Sequence, residues 1–324
     1  MNQSEIIETE NYRIIQFSNH ELDTFSAQWS SNARYLAFCG MDGTGIIWDR
    51  NTNVFSNFLI DDECDNLTLS WSPIQPIIGV LSSNGLFHYI SVNRNLFSKI
   101  DLHEAFSTRI TNHYSSSSLA WSPLGECIAV GINQNRILIL NHKGIMDFCK
   151  IIVHSRLQIE IGPLIWHPSN FIIGAFDREI ILYSNKGIRK NRLFMAHHPI
   201  EIMKYNKIHN IIAVTYDYLG ENAQTTKKID IINMLGKIIK TFNAKTTQPY
   251  GLAWSPNKRF IAECGESSKV FIHSLLPNIK DISIELGDVS YSVDWSPDGR
   301  ILAVARIRAP PVLVEFKNFQ QYCI

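Results

Sequence analysis

Residues 295–304 read Trp-Ser-Pro-Asp-Gly-Arg-Ile-Leu-Ala-Val, and six further segments of the chain repeat this pattern in whole or in part. Each segment begins with an aromatic residue, here called the anchor. The seven anchors are Trp29, Trp71, Trp121, Trp166, Tyr205, Trp254 and Trp295. Their spacings are 42, 50, 45, 39, 49 and 41 residues. The mean of about 44 is typical of a repeat that forms one four-stranded sheet.

A pair of apolar residues follows every anchor at the same distance. The seventh residue after the anchor is Leu or Ile, and the next residue is Ala or Gly. The pairs are Leu36-Ala37, Ile78-Gly79, Ile128-Ala129, Ile173-Gly174, Ile212-Ala213, Ile261-Ala262 and Leu302-Ala303. This pattern predicts a strand that is packed on both faces. The large residue fills the space between sheets, while the small one lets the next sheet approach closely.

Turn signals separate the predicted strands. In five repeats a proline stands two residues after the anchor, and in the last repeat it is followed by Asp298-Gly299. Proline fixes φ and Asp-Gly supplies a tight bend, so this segment predicts the turn between the first and second strands. A polar turn, a third apolar run and a weaker fourth strand complete each unit. In the first repeat the last two are Gly45–Asp49 and Val54–Ile60.

These repeats resemble the WD-repeat family over essentially the whole chain. The family dipeptide stands once, as Trp48-Asp49, at the end of a third strand where the family places it. Leu140-Asn141, Tyr183-Ser184 and His273-Ser274 take its place elsewhere. The resemblance implies an all-β, seven-bladed β-propeller in which each blade is a four-stranded antiparallel sheet. The Trp-Ser-Pro-x-Gly turn is also similar to turns in the propellers of some translation-initiation factors and of TolB-like proteins.

The two ends of the chain bear on closure of this fold. The seventh repeat lacks a fourth strand, while Tyr12–Phe17 is a predicted strand that belongs to no repeat. We expect residues 1–18 to supply the outer strand of the last blade, which removes the exposed edges of an open array. Residues 1–324 are then predicted to form a single domain.

Composition bounds the function. The chain has 324 residues, with 30 Lys and Arg against 30 Asp and Glu, so no net charge attracts nucleic acid or an anionic membrane. The six cysteines form no C-x-x-C pair, which argues against zinc and disulfides. A signal peptide and an apolar membrane span are not evident, which predicts a cytoplasmic protein. The common catalytic and phosphate-binding motifs are missing too, so we predict no catalytic residues, cofactor or metal.

Aromatic and arginine residues near the closure of the ring are the first candidates for partner contact. Phe25, Tyr250 and Tyr291 stand four positions before their anchors, and Arg306 and Arg308 lie in or next to a turn of the last blade. Aromatic residues and arginine dominate interaction hot spots. Strict strand alternation instead places the three rings on the face of the anchor, in the core, and favours accessibility only for the two arginines.

A long turn and a basic run are further candidates. Residues 216–228 form a thirteen-residue turn where other repeats use about four. Its Tyr216, Tyr218 and Leu219 are candidate contacts, and a neutral insertion is the equal alternative. The basic run contains Lys186, Arg189, Lys190 and Arg192. A solvated edge strand protected by charge is the favoured interpretation, and a contact for phosphate or an acidic partner is the other.

These features predict a non-catalytic scaffold or adaptor that displays rim loops to protein or peptide partners within a multiprotein complex. The alternative is a ribonucleoprotein or translation-initiation-associated propeller that uses the basic run. A third is an enzyme in the central channel, which a buried constellation of His and carboxylates at the channel mouth would indicate.

Overall fold

A computed structural model describes residues 3–17, 23–41, 43–59, 66–83, 86–92, 96–101, 118–132, 136–141, 150–153, 161–219, 225–257 and 259–317. In these ranges the regular structure is entirely β, with 29 strands in seven antiparallel sheets. We number the sheets as blades 1 to 7 in the order of their anchors. The chain divides into one unit of Leu67–Asn243 and another of Met1–Asn66 with Ala244–Ile324.

The unit around Leu67–Asn243 contains blades 2 to 5, each with four strands in sequential order. Blade 2 has β7 (Asn66–Trp71), β8 (Ile77–Ser82), β9 (Leu86–Ser91) and β10 (Leu96–Asp101), and blade 3 has β11 (Leu119–Trp121), β12 (Cys127–Ile132), β13 (Arg136–Asn141) and β14 (Lys150–Val153). Blade 4 has β15 (Ile161–His167), β16 (Phe171–Phe176), β17 (Glu179–Ser184) and β18 (Arg189–Met195), and blade 5 has β19 (Ile200–Asn206), β20 (Ile211–Leu219), β21 (Thr225–Asn233) and β22 (Ile238–Asn243).

The other unit contains blades 6, 7 and 1. Blade 1 has β3 (Thr24–Trp29), β4 (Tyr35–Gly40), β5 (Thr44–Asp49) and β6 (Val54–Leu59), and blade 6 has β23 (Pro249–Trp254), β24 (Phe260–Gly265), β25 (Lys269–Ser274) and β26 (Ile282–Glu285). Blade 7 is formed by β27 (Ser290–Trp295), β28 (Ile301–Arg306), β29 (Val312–Phe316), β2 (Tyr12–Phe17) and β1 (Gln3–Glu8), in that order across the sheet.

The anchors and the apolar pairs occupy the predicted strands. Every anchor lies at or next to the end of a first strand, and every Leu or Ile of the pairs is completely buried in a second strand. The anchor and the large apolar residue are direct cross-strand neighbours in blades 1, 3, 5, 6 and 7, as for Trp29 and Leu36. The pattern read from the sequence therefore identifies the first hairpin of each blade.

Two neighbours limit the size of the residue at Gly79 of blade 2. An added Cβ atom would lie 2.9 Å from Cζ of Phe87 in its own sheet and 3.0 Å from Cδ1 of Ile128, the large residue of blade 3. Ala303 of blade 7 belongs to the same buried cluster as Trp29 and Leu36 of blade 1. In these two pairs of blades, a small residue of one blade lies near the large residue of the next.

Blade 4 departs from this arrangement by one residue. Its first turn has three residues between His167 and Phe171, whereas the turn of blade 5 has four between Asn206 and Ile211. Trp166 therefore pairs with Ile172 rather than Ile173. Because successive side chains of a strand point to opposite faces, a shift of one residue moves each side chain to the other face of the sheet. The prediction that the small residue faces the next blade is wrong here, because Gly174 makes room for the ring of Phe176 in its own sheet.

The predicted use of the N-terminal strand is confirmed. β2 pairs antiparallel with β29, from Tyr12 opposite Phe316 to Gln16 opposite Val312. Ile14 is buried among residues of blades 6 and 7. β1 then adds to the outer edge of β2, so blade 7 has five strands instead of the predicted four.

The predicted thirteen-residue turn of blade 5 is wrong. β20 and β21 are nine residues long and pair continuously from Ile211 opposite Asn233 to Leu219 opposite Thr225. Residues that we assigned to a loop are therefore paired strand. The sequence indicated a turn because the segment is polar. Asp217 and two lysines hide the alternating pattern by which a strand is usually recognised.

Deleting residues 1–18 tests the role of β2. We expect this deletion to abolish cooperative unfolding, because it exposes the edge of β29 and removes the buried Ile14. Deletion of residues 1–8 is the matched control, since it removes only β1 and should keep a single transition. Thermal unfolding followed by circular dichroism measures both. An unchanged transition after deletion of residues 1–18 would contradict the assignment.

Candidate protein-interaction site

A β-bulge sits four residues before the anchor in blades 1, 6 and 7. In blade 1, Thr24 pairs with Gly40 and Ser26 with Cys39, which leaves Phe25 as the extra residue. The same shift leaves Tyr250 and Tyr291 as the extra residues in blades 6 and 7. A bulge re-aims the side chain that it carries. Strict alternation therefore fails at these positions, and the three rings are half-buried rather than core.

The three bulged residues form one aromatic row. The rings of Tyr250 and Tyr291 stack face to face with centroids 4.5 Å apart and an interplanar angle of 11°. Phe25 approaches Tyr291 edge to face, with centroids 5.3 Å apart. Such pairs contribute about 0.5–1.5 kcal/mol beyond their buried area. The hydroxyl of Tyr250 donates a hydrogen bond to the carboxylate of Glu266 at 3.1 Å.

Arg306 is buried and makes its hydrogen bonds within the protein instead of facing a partner. Its side chain was expected to be accessible, but the residue is only 4% exposed. The guanidinium donates hydrogen bonds to the carbonyls of Pro310 and Leu286, at 2.8 and 2.7 Å, and to Oε1 of Gln16 at 3.1 Å. Burial lowers the pKa of Arg306, and Asp288, 3.7 Å away, opposes that shift. Arg306 thus joins β28, two connections and the N-terminal strand.

Thr24 links blade 1 to blade 7 beside the aromatic row. Its Oγ1 accepts a hydrogen bond from the amide of Arg306 at 2.9 Å and donates one to the carbonyl of Arg306 at 3.1 Å. The residue is fully buried. Thr24 is not among the candidates predicted from the sequence, although Ser290, a small hydroxyl residue at the same distance before the anchor of blade 7, was a visible signal.

Arg308 is the accessible arginine of the pair. Its side chain is exposed, and its backbone has a φ of 58°, in the left-handed region that costs energy for a side chain with a Cβ. The amide of Arg308 donates a hydrogen bond to the carboxylate of Asp23, which holds this conformation. The expectation of accessibility is therefore confirmed for Arg308 and wrong for Arg306.

The candidates of blade 5 do not share one environment. Tyr216 is 2% exposed, and its hydroxyl donates to the buried carboxylate of Asp230. Burial first and this carboxylate second raise the pKa of Tyr216. Tyr216 is therefore a core residue, which contradicts its candidacy for partner contact. Tyr218 is half-buried, with Nζ of Lys228 3.2 Å from its ring centroid. Leu219 lies on β20, and its side chain is outside the described part of the structure.

The basic run forms the outermost strand of blade 4. Arg189, Lys190 and Arg192 are exposed on β18, and Lys186 is exposed in the preceding turn. Arg192 forms an ion pair with Glu179 at 2.8 Å. Lys190 lies over the ring of Phe171 at 5.6 Å. This placement agrees with the predicted solvated edge strand.

In blade 6 a buried histidine contacts one buried carboxylate, Glu263, and one exposed carboxylate, Asp281. Nε2 of His273 is 2.6 Å from Glu263, and its Nδ1 is 2.9 Å from Asp281. Glu263 also accepts hydrogen bonds from the amides of Lys245 and Thr246 and from the Thr246 hydroxyl. Burial opposes ionisation of Glu263, yet these bonds outweigh it and hold its pKa below the usual range.

The geometry of this cluster indicates a role in stabilising blade 6. Glu263 and His273 lie on the two middle strands of the sheet and are completely buried. Both nitrogens of His273 are engaged by carboxylates, and Glu263 accepts from four donors, so no group of the pair faces a substrate. A buried group of His and carboxylates at the channel mouth would have indicated an enzyme. The group found here lies on the middle strands of one blade and not on a first strand.

Comparisons with known proteins agree with the repeat pattern. A family model described as WD domain, G-beta repeat, matches residues 11–49. The structure is similar to the β-propeller domain of Cps50 (Swd1) from Myceliophteria thermophila, with a TM-score of 0.74 and 10% identity over 97% of this chain and 98% of that one. This likeness shows that the fold is a β-propeller. The search of curated proteins found no match.

The described residues contain no helix that is long and apolar enough to cross a membrane. Within the same ranges, no group of three or more His, Cys, Asp and Glu side chains is arranged to hold a metal ion.

Replacing each arginine separately tests the different roles of Arg306 and Arg308. We expect Arg306→Ala to lower the free energy of unfolding by about 2–4 kcal/mol, because it leaves buried acceptors unpaired. Arg308→Ala, the control, should change it by less than about 0.5 kcal/mol. Denaturant unfolding measures both values. Equal effects of the two substitutions would contradict the assignment.

Proposed function

Since the chain carries a WD repeat at residues 11–49 on a seven-bladed β-propeller fold, we propose that it is a non-catalytic interaction scaffold. It displays the start of the first strands of blades 6, 7 and 1, on the propeller rim, to protein or peptide partners within a multiprotein complex. WD-repeat propellers are typically scaffolds of this kind, and the similar Cps50 (Swd1) structure is a propeller domain too.

The aromatic row of Phe25, Tyr291 and Tyr250 is the observation that carries this proposal. The three rings are half-buried, and the exposed Arg308 is bonded through its amide to Asp23, two residues before Phe25. Aromatic residues and arginine are the residue types enriched in interaction hot spots. Tyrosine offers a large contact area with few rotatable bonds, so its immobilisation by a partner costs little entropy.

The surroundings of the row keep it pre-organised. The bulges fix the direction of each ring, and Tyr250 is held by Glu266 while Thr24 and Arg306 join blades 1 and 7. Because these groups are already ordered, binding a partner need not reorganise them. Glu266 contacts Tyr250, and Asp23 bonds the amide of the exposed Arg308, so charges of both signs accompany the bulged strands. Charge of both signs favours selection of a partner over non-specific adhesion.

The alternatives from the sequence find less support. Among the described residues, the ring that Lys190 contacts is the half-buried Phe171 and not an exposed ring of the kind that stacks bases, so the basic run gives no added support for a ribonucleoprotein. The buried Glu263–His273 network offers no free group for a reaction in the channel. A cytoplasmic location stays a prediction of the sequence.

Affinity purification of the intact protein with quantitative mass spectrometry tests the proposal. We expect Tyr250→Ala/Tyr291→Ala to lose a defined set of partners by tenfold or more, since a single hot-spot residue contributes about 2 kcal/mol or more. Arg308→Glu should weaken the same set. Phe242→Ala, a half-buried aromatic on β22 of blade 5, is the matched control and should retain it.

Two accompanying measurements separate failure of folding from failure of binding. Thermal unfolding of each variant must match that of the parent within a few degrees. Nuclease treatment of the lysate must leave the partner set unchanged. Retention of every partner by the double variant, or loss of all partners on nuclease treatment, would contradict the proposal.

A further inference from the structure

An exposed surface of basic and aliphatic side chains lies on the outer strands of blades 4 and 5. It comprises residues from the turn before β18, from β18 itself, and from the turn and strand at β21–β22. We call it the outer patch, and its exposed residues are Lys186, Ile188, Arg189, Lys190, Arg192, Leu235, Lys237, Ile238 and Ile239, with the half-buried Lys240 beside them. Both blades belong to the unit of Leu67–Asn243.

Direct contact makes these two segments one surface. A Cβ atom added to Gly236, in the turn of blade 5, would lie 1.9 Å from the carbonyl oxygen of Leu193 on β18. Leu193 and Met234 also pack in the same apolar cluster. The turn that carries Leu235 therefore sits directly against the strand that carries the basic run.

The charge of the outer patch is unbalanced. Segments 184–195 and 233–243 contain six Lys and Arg residues and no Asp or Glu, although the whole chain has equal numbers of each sign. Arg192 is paired with Glu179 from β17. The remaining cations give the patch a net positive charge of a kind that attracts an anionic surface.

Aliphatic side chains project from the same surface. Leu235 is 90% exposed at the tip of its turn and Ile188 is 64% exposed, with Ile238 and Ile239 also exposed nearby on β22. The turn is fixed, since Oδ1 of Asn233 accepts hydrogen bonds from the amides of Leu235 and Lys237, both at 3.0 Å. In this conformation the side chain of Leu235 points outward and is not covered by the described residues.

We infer that the outer patch docks on the surface of an anionic lipid bilayer. Lys and Arg side chains are attracted to anionic headgroups, and exposed aliphatic side chains are stabilised by entering the boundary between headgroups and acyl chains. A surface that binds single-stranded nucleic acid typically presents aromatic rings on which the bases stack, whereas the exposed apolar residues of this patch are Leu and Ile. An acidic protein partner explains the cations but leaves Leu235 at the turn tip without a role.

Vesicle flotation of the full-length protein tests this surface. We expect binding to phosphatidylcholine vesicles that contain phosphatidylserine, weak binding to phosphatidylcholine alone, and release by high salt. Arg189→Glu/Lys190→Glu should reduce binding to the anionic vesicles by about tenfold or more, because it reverses two charges at the membrane. Leu235→Ser, which changes no charge, should reduce it by about tenfold through loss of insertion.

Lys280→Glu/Arg300→Glu is the matched control, because it makes the same change of net charge at two exposed residues of the other unit. It should bind like the parent, and thermal unfolding must show that all variants are folded. Equal binding to neutral and anionic vesicles, or no effect of Leu235→Ser, would overturn the inference. So would capture of RNA or an acidic peptide through Arg189 and Lys190 without any vesicle binding.

Discussion

The contact between the small residue of one blade and the large residue of the next is the constraint on which the structure depends. Phe87 of the same sheet and Ile128 of the next blade leave no room for a methyl group at Gly79, and Ala303 shares a buried cluster with Leu36. Protein interiors are packed as tightly as organic crystals, so one extra carbon at such a position forces side chains or backbone to shift. The large residue of every pair is completely buried in its second strand.

Rigid packing at the anchors allows the starts of the first strands to vary. Within four residues of a buried tryptophan, a bulge turns Phe25, Tyr250 and Tyr291 away from the alternation of their strands. The fold fixes where these rings lie, while their chemistry is free to serve a partner. Arg306 and Thr24 stabilise the fold instead of contacting a partner, because their buried hydrogen bonds hold the strands of blades 1 and 7 in place.

Much of the fold could be predicted because the period repeats seven times, and the pairing of the N-terminal strand follows from the missing fourth strand of the last repeat. Register could not be predicted, because a turn shorter by one residue moves Gly174 to the other face without changing the sequence pattern. The same limit applies to the site. A bulge has no composition of its own, so alternation wrongly assigned the aromatic row to the core. The environment of Arg306 depends on Gln16, which is distant in sequence and was not a visible signal.

A double-mutant cycle at Gly79 and Ile128 tests the central claim most directly. Ile128→Val removes Cδ1, the atom that a Cβ at position 79 would meet across the two blades. Gly79→Ala should therefore destabilise the parent protein more than it destabilises the Ile128→Val variant. The predicted coupling in the free energy of unfolding is about 0.5–1 kcal/mol. Additive effects of the two substitutions would show that this contact does not determine how closely neighbouring blades pack.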